Sequence, residues 1–367
     1  MSSIAQAALQ DQVARASKRH FEMLDGIRGV AAMGVLLFHS YKGGGIFPNG
    51  PLAVDLFFML SGFVIAYSYG DRLAGGLSPL AFMRLRLIRL YPMILVGALG
   101  GLGIALLHNK TNPAQAYPLH SVLSSGALSL LVVPYLVKAG LGIAIFSFNP
   151  PIWSLFFELI GNLFYAVIIK WLRPWVLVAI IVAGLVGVGL GGELGGGAQD
   201  NFWLGFPRFA AGFFGGVLLY RLWSTSRLPP LRANFAVVAI FLLTLFAFPH
   251  VIGGWLFAPV FVAFAGMIAM AANAGPSRLD RVYALMGQTS YPLYLTHWLT
   301  LYVLTFIGTK LGLVGPKYAV VAAALVVVGP VVGYLFYRYY ETPVLRLLKP
   351  NKRPPLRLDP VADSRAA

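Results

Sequence analysis

Apolar residues run along this chain in stretches of roughly 20, the length of helix that crosses a bilayer, broken by short clusters of arginine, glycine and proline. On that pattern helices are predicted near residues 24–41, 52–70, 91–108, 151–169, 174–191, 202–220, 234–250, 253–273, 290–309 and 318–337. One further run, SVLSSGALSLLVVPYLV at 121–137, is Ser-rich and interrupted by Pro134. Positive charge decides how to treat it, because basic residues collect in cytoplasmic loops. If the run does not cross and the N-terminus is inside, the basic clusters at 15–19, 72–89, 170–173, 221–232 and 278–281 and those from Arg338 onward share the cytoplasmic side. Lys42, Lys110, Lys138, Lys310 and Lys317 then lie outside. If the run crosses, the clusters at 170–173, 221–232 and 278–281 move outside, against the rule. The expectation is an all-α integral membrane protein of about ten transmembrane helices, both termini cytoplasmic, in the inner (plasma) membrane, with 121–137 re-entrant or interfacial.

Composition agrees with that reading. Of 367 residues, 58% are hydrophobic and 11% charged, and the mean hydropathy is +0.77, too apolar for a water-soluble domain. The absence of cysteine excludes disulfides and a thiolate nucleophile. The net charge of +16 fits loops beside anionic lipid and gives no reason to expect nucleic acid. Residues 1–23 are expected to form a cytoplasmic leader without a secretory signal, 24–349 the membrane domain, and 350–367, rich in proline and charge, a disordered tail.

Against this background the ionisable residues inside apolar runs stand out. In LDGIRGVAAMGVLLFHS, residues 24–40, Arg28 and His39 are eleven positions apart, so they share one helix face about 16 Å apart along the axis. Asp25 is placed to neutralise Arg28 at i,i+3. In IWSLFFELIGNLFY, Ser154, Glu158 and Asn162 form a stripe continued by Tyr165, and Glu158 either ties helices together or polarises a histidine. PLAFMRLRLIRLYP places Arg86 and Arg89 at i,i+3 with Arg84 nearby: a lipid-surface helix, or a clamp for a phosphorylated donor. SYPLYLTHW puts Ser290, Tyr294 and His297 on one face, for which mutual hydrogen bonding is the simpler reading. Asp55 and Arg208 are lone charges, to be paired with each other or with Glu158. No Walker loop, strand-borne GxGxxG or HExxH occurs, and His108, His120 and His250 stand singly, so no metal site is expected.

Taken in order, LDGIRGVAAMGVLLFH, AVDLFFMLSGFVI, FMRLRLIRLYP, IWSLFFEL and SYPLYLTHW resemble the acyltransferase-3 family of bacterial integral-membrane O-acyltransferases, and the late YRYYETP with Glu341 resembles its closing segment. The resemblance implies transfer of an acyl group, commonly acetyl, from cytosolic acyl-CoA as co-substrate to a hydroxyl of a glycan or other acceptor, with no permanently bound cofactor. It implies that Arg28 and His39 match the family's Arg-x10-His pattern and Arg86 and Arg89 its Arg-x-x-Arg pattern, with Glu158 as its acidic residue. Catalysis is expected from His39, Glu158 and Arg28, and donor binding from Arg86, Arg89 and Arg84. Asp25, Asp55, Ser154, Asn162, Arg208, Tyr294 and His297 are expected to support them. The competing expectation is a transporter or flippase for a lipid-linked sugar or small anion, which would use the same intramembrane charges.

Overall fold

In a computed structural model the chain is described over residues 19–41, 47–137, 141–229 and 231–348. Most of the expected leader and the whole expected tail lie outside these residues, as do Lys42 and Lys138. The helices are α1 (Glu22–Ser40), α2 (Leu52–Ala74), α3 (Pro79–Thr111), α4 (Leu119–Leu130), α5 (Ile152–Ile168), α6 (Pro174–Gly191), α7 (Gly205–Ser224), α8 (Phe235–Ala247), α9 (Phe257–Ala272), α10 (Asp280–Lys310) and α11 (Tyr318–Phe336). A π-helical turn, Tyr337–Glu341, leads into α12 (Thr342–Leu348). No strand forms among the described residues; one isolated antiparallel bridge joins Ala144 to Ala198.

Among the described residues seven helical stretches are long and apolar enough to cross a membrane: Leu52–Ala74, Pro79–Thr111, Ile152–Trp171, Pro174–Gly191, Phe202–Ser224, Gly254–Ala272 and Gly315–Leu348. With 19 and 31 residues, α1 and α10 have the length, but their ionisable and hydroxyl side chains lower their apolarity. They pack extensively against each other and are largely buried, α1 on its Met23–Leu36 stretch and α10 from Ser290 to His297. The least apolar helices thus lie inside the bundle, where protein rather than lipid surrounds their polar groups.

Small residues set the closest approaches. A methyl group on Gly62 of α2 would overlap the Phe213 carbonyl oxygen of α7, and one on Gly216 of α7 would overlap that of Met59. Only glycine permits this backbone contact, a common device where helices meet without a hydrophobic driving force.

Two elements differ from expectation, and a third takes a definite form. The basic stretch at 79–92 does not lie on the surface ahead of a span. Ser78 accepts the Ala81 N–H at 3.2 Å as an N-cap, and α3 runs unbroken through Pro92 for 33 residues. A proline removes a single backbone donor, and neighbouring helices in a bundle compensate for that. α10 begins about ten residues before the expected 290, at Asp280. Within 121–137 only α4 is helical, and its 12 residues reach about 18 Å, short of the ~30 Å hydrocarbon core. The chain leaves α4 through Val132 at φ 55° and Pro134, and its later part bonds to the 197–199 segment, Ile145 N–H to Gly197 and Gln199 N–H to Ile143.

Candidate active site

One end of the bundle gathers arginines. Arg28 of α1 and Arg86 and Arg89 of α3 line a cavity of about 210 Å³, together with Ser61 of α2, Ser154 and Glu158 of α5, and Ser290, Tyr291 and Tyr294 of α10. Helical spacing explains the gathering. Ser154 and Glu158, like Ser290 and Tyr294, are four residues apart and point the same way, and Arg86 and Arg89 are three apart. Glu158 accepts from Arg86 Nη2 at 2.7 Å and from Ser61 Oγ at 2.9 Å. Arg86 Nε is buried and has no partner. Arg89 pairs with Glu341, which the π-helical turn buries to 2% exposure, and lies over the Tyr291 ring at 5.5 Å. Tyr291 donates to the Leu90 carbonyl at 2.6 Å, tying α10 to α3. Arg28 donates to Asp25 at 3.3 Å, and Ser154 and Tyr294 share a hydrogen bond of 2.9 Å.

The opposite end gathers histidines and aromatic rings. His39 lines a second cavity of about 840 Å³ with Tyr41, Asn49, Glu193, Trp298 and Tyr318. Its Nδ1 stands 3.1 Å from His297 Nε2, the two rings are stacked at 5.1 Å, and Trp298 lies edge-on to His39 at 4.9 Å. Asn49 organises the rim: its amide donates to the Phe248 and His250 carbonyls at 2.9 Å each, and its oxygen accepts the Ile252 N–H at 2.7 Å. The cavities have no lining residue in common. The Tyr294 ring, on the wall of the first, is 6.1 Å from that of His297, so one turn of α10 separates them.

The structure brings together residues that are distant in sequence and separates some that are close. Arg28 and His39 share α1 and face different cavities, while Arg86, Arg89, Glu158, Ser154 and Tyr294 join Arg28. Arg84 does not: it is exposed and lines no part of the cavity, because two residues turn a helix by about 200°. Glu158 does not reach His39; its partners are Arg86 and Ser61, and the imidazole is held by His297 instead. Asp55 and Arg208 pair with each other, Nε and Nη2 of the arginine donating at 2.7 Å to the two carboxylate oxygens, and neither side chain lines either cavity. Asn162 is fully buried one turn beyond Glu158, and neither of its amide atoms has a partner. Tyr165 is buried below it on α5.

Sequence reasoning leaves out several contributors, Tyr291, Trp298 and Asn49 among them, and two that meet an arginine or its carboxylate partner. Ser61 sits inside an apolar motif where a serine draws no notice, and Glu341 is visible only as part of a terminal motif, with nothing to connect it to Arg89, 252 positions earlier. Among the described residues no group of three or more metal-ligating side chains is placed to hold an ion.

Comparison with known proteins gives the family. The family model described as an acyltransferase domain, acyltransferase-3, matches residues 21–338. The exopolysaccharide production protein ExoZ of Rhizobium meliloti is 29% identical over 85% of this chain and 95% of its own length. The acyltransferase MdmB of Streptomyces mycarofaciens is 29% identical over 86% of each chain. Protein 2 in the picA locus of Rhizobium radiobacter is 40% identical over 40% of this chain and 81% of its own. No solved structure matches significantly. With the family model covering both cavities and the helices between them, this chain belongs to the acyltransferase-3 family.

Proposed function

We propose that the protein moves an acyl group, in the first instance acetyl, from acyl-CoA to a hydroxyl of a cell-surface or exported glycan. The observation that carries the reading is the division of one helix between two chemistries: Arg28 of α1 faces an arginine cavity, and His39 of the same helix faces an aromatic-lined one without arginine or lysine. A guanidinium presents five donors, and the carboxylates that face Arg86 and Arg89 leave some of them free for an anionic donor. An imidazole beside a roomy, aromatic-lined cavity suits a general base acting on a hydroxyl. The glycan is supported by the relative named for exopolysaccharide production.

Positive charge orients the arginine end to the cytosol, where acyl-CoA is made, and the histidine end outward. On this reading α1, α2, α3 and α5 to α11 supply ten crossings, α8 with its 13 residues reaching only about 20 Å and needing its flanking chain to complete the passage; α4 is re-entrant from the outer side, and both termini are cytoplasmic in the inner membrane. The thioester enters the arginine cavity and is directed past Tyr294 toward His39. His39 Nε2 takes the acceptor's hydroxyl proton, and the oxygen attacks the thioester carbonyl. The C–O bond forms, the C–S bond breaks, and the thiolate leaving group recovers the proton.

The test is transfer of label from radiolabelled acetyl-CoA into envelope glycan by membranes holding equal amounts of wild type or His39→Ala. The expected loss is about 10²–10⁴-fold, the usual contribution of a positioned base. Equal transfer by both would remove His39 from the reaction. Movement of a glycan lipid across the membrane with no covalent change would favour the flippase.

A further inference from the structure

We infer that His297 is the positioning residue that holds His39 in the tautomer with the proton on Nδ1, leaving Nε2 as the basic nitrogen on the cavity side. The inference rests on the reading of His39 as general base for the consequence, but not for the tautomer itself.

Hydrogens can be counted along a chain of three groups. His297 Nδ1 lies 3.2 Å from the carbonyl oxygen of Leu293, one turn earlier in α10. A carbonyl has no hydrogen to give, so His297 Nδ1 carries the proton and donates. A neutral imidazole has only one, which makes His297 Nε2 an acceptor. That nitrogen faces His39 Nδ1 at 3.1 Å, so His39 Nδ1 donates; the Val35 carbonyl one turn earlier in α1 also hydrogen-bonds the His39 ring and, standing where the Leu293 carbonyl stands to His297, favours the same protonated Nδ1, and by the same count His39 Nε2 is left with its lone pair. The alternative, a doubly protonated His297, would place a cation at 1% exposure among apolar side chains, and among the described residues no carboxylate lies within ion-pair distance of either ring.

Free imidazole leans to the opposite tautomer, with the proton on Nε2, and an enzyme that needs Nε2 as a base has to oppose that preference. Hydrolases with a serine nucleophile use a carboxylate for this purpose. A carboxylate beside His39 would add a net charge to the interior of an apolar bundle. A second histidine supplies the same acceptor without one, and the helix carbonyl behind it fixes its own orientation. When His39 takes the acceptor's proton, His297 Nε2 is already in place to accept the strengthened Nδ1–H bond. The two ring planes are within 28° of parallel, which allows an in-plane N–H···N bond, and Trp298 packs edge-on against His39 at 4.9 Å.

Two measurements test it. The first is the ring-nitrogen NMR spectrum of the full-length protein labelled with 15N-histidine in detergent micelles, with His39 and His297 assigned from the His39→Gln and His297→Gln variants. Both should show a protonated Nδ1 and an unprotonated Nε2, and in His297→Leu the His39 signals should move toward the Nε2–H form. A wild-type His39 with its proton on Nε2 overturns the inference whatever the activity. The second is acyl transfer by three variants. His297→Leu should lower kcat roughly 10–100-fold with donor KM unchanged, the usual cost of losing a partner that orients a functional imidazole. His297→Gln, whose oxygen reaches the place of Nε2, should recover most of that loss, and His297→Asn, which reaches only as far as Nδ1, should not. Equal activity of Leu and Gln variants, or better rescue by Asn than by Gln, overturns it. Should His39→Ala retain transfer while the tautomer is as stated, the general-base reading fails and the hydrogen-bond assignment stands.

Discussion

Two arginines of this protein, Arg208 buried and Arg86 half-buried, carry the same charge, each faces a carboxylate across a helix interface, and their surroundings differ. Arg208 has every nitrogen engaged: Nε and Nη2 on Asp55, Nη1 on the Gly195 carbonyl at 2.9 Å, and Nη2 also on that of Pro51 at 2.8 Å, with the Trp153 ring at 5.1 Å. Arg86 spends one contact on Glu158, leaves Nε without a partner, and opens onto a cavity. Charge inside a membrane bundle is therefore not by itself a sign of chemistry. A guanidinium whose donors are all satisfied fastens the structure, here the 192–201 loop that supplies Glu193 to the histidine cavity. One with donors to spare beside open space is equipped for a ligand.

The comparison breaks most severely at Asp55. Its replacement by alanine strands a buried guanidinium, at an expected cost of about 3–5 kcal/mol. Thermal unfolding in detergent should show a large drop, with little folded protein recovered. Unchanged stability would mean that Arg208 finds another partner and that its saturation is not structural. At Arg86 the same kind of change should act on binding instead. Arg86→Gln is expected to raise donor KM by about 10–100-fold, the equivalent of a charged hydrogen bond of roughly 1.5–3 kcal/mol, with a much smaller shift in unfolding temperature. Lost activity with unchanged acyl-CoA affinity would take the donor phosphate away from Arg86. The smallest effect belongs to Arg84, which is exposed outside the cavity: Arg84→Gln should change stability by no more than about 0.5 kcal/mol and leave donor KM at the wild-type value. A donor KM defect there would extend the donor site onto the outer face of α3.

Much of the site is legible from spacing, because a helix converts intervals of three, four and eleven into shared faces. That rule joins Arg28 to His39, Ser154 to Glu158 and Arg86 to Arg89 without reference to any other helix. It fails wherever the relation lies between helices. Periodicity says which side of a helix a residue occupies but not which neighbour faces that side, so it leaves Glu158 near His39 and Asp55 without an assigned partner. Arg84 enters the expected donor site by nearness in sequence, although two residues is the interval that turns a side chain away. Ser61 and Glu341 escape for the same reason in reverse: each acquires meaning only from an arginine on another helix.

The division is physical. Hydropathy, the positive-inside pattern and the family motifs are local or additive along the chain, so the sequence alone determined an all-helical membrane protein of the acyltransferase-3 family with its ionisable residues on α1, α3, α5 and α10. Partnership is a matter of a few ångströms across interfaces formed by close packing, including glycine contacts such as Gly62 on Phe213. Only the tertiary structure decided that Arg86 rather than His39 takes Glu158, that Arg208 closes on Asp55, and that the histidine of α1 meets the histidine of α10.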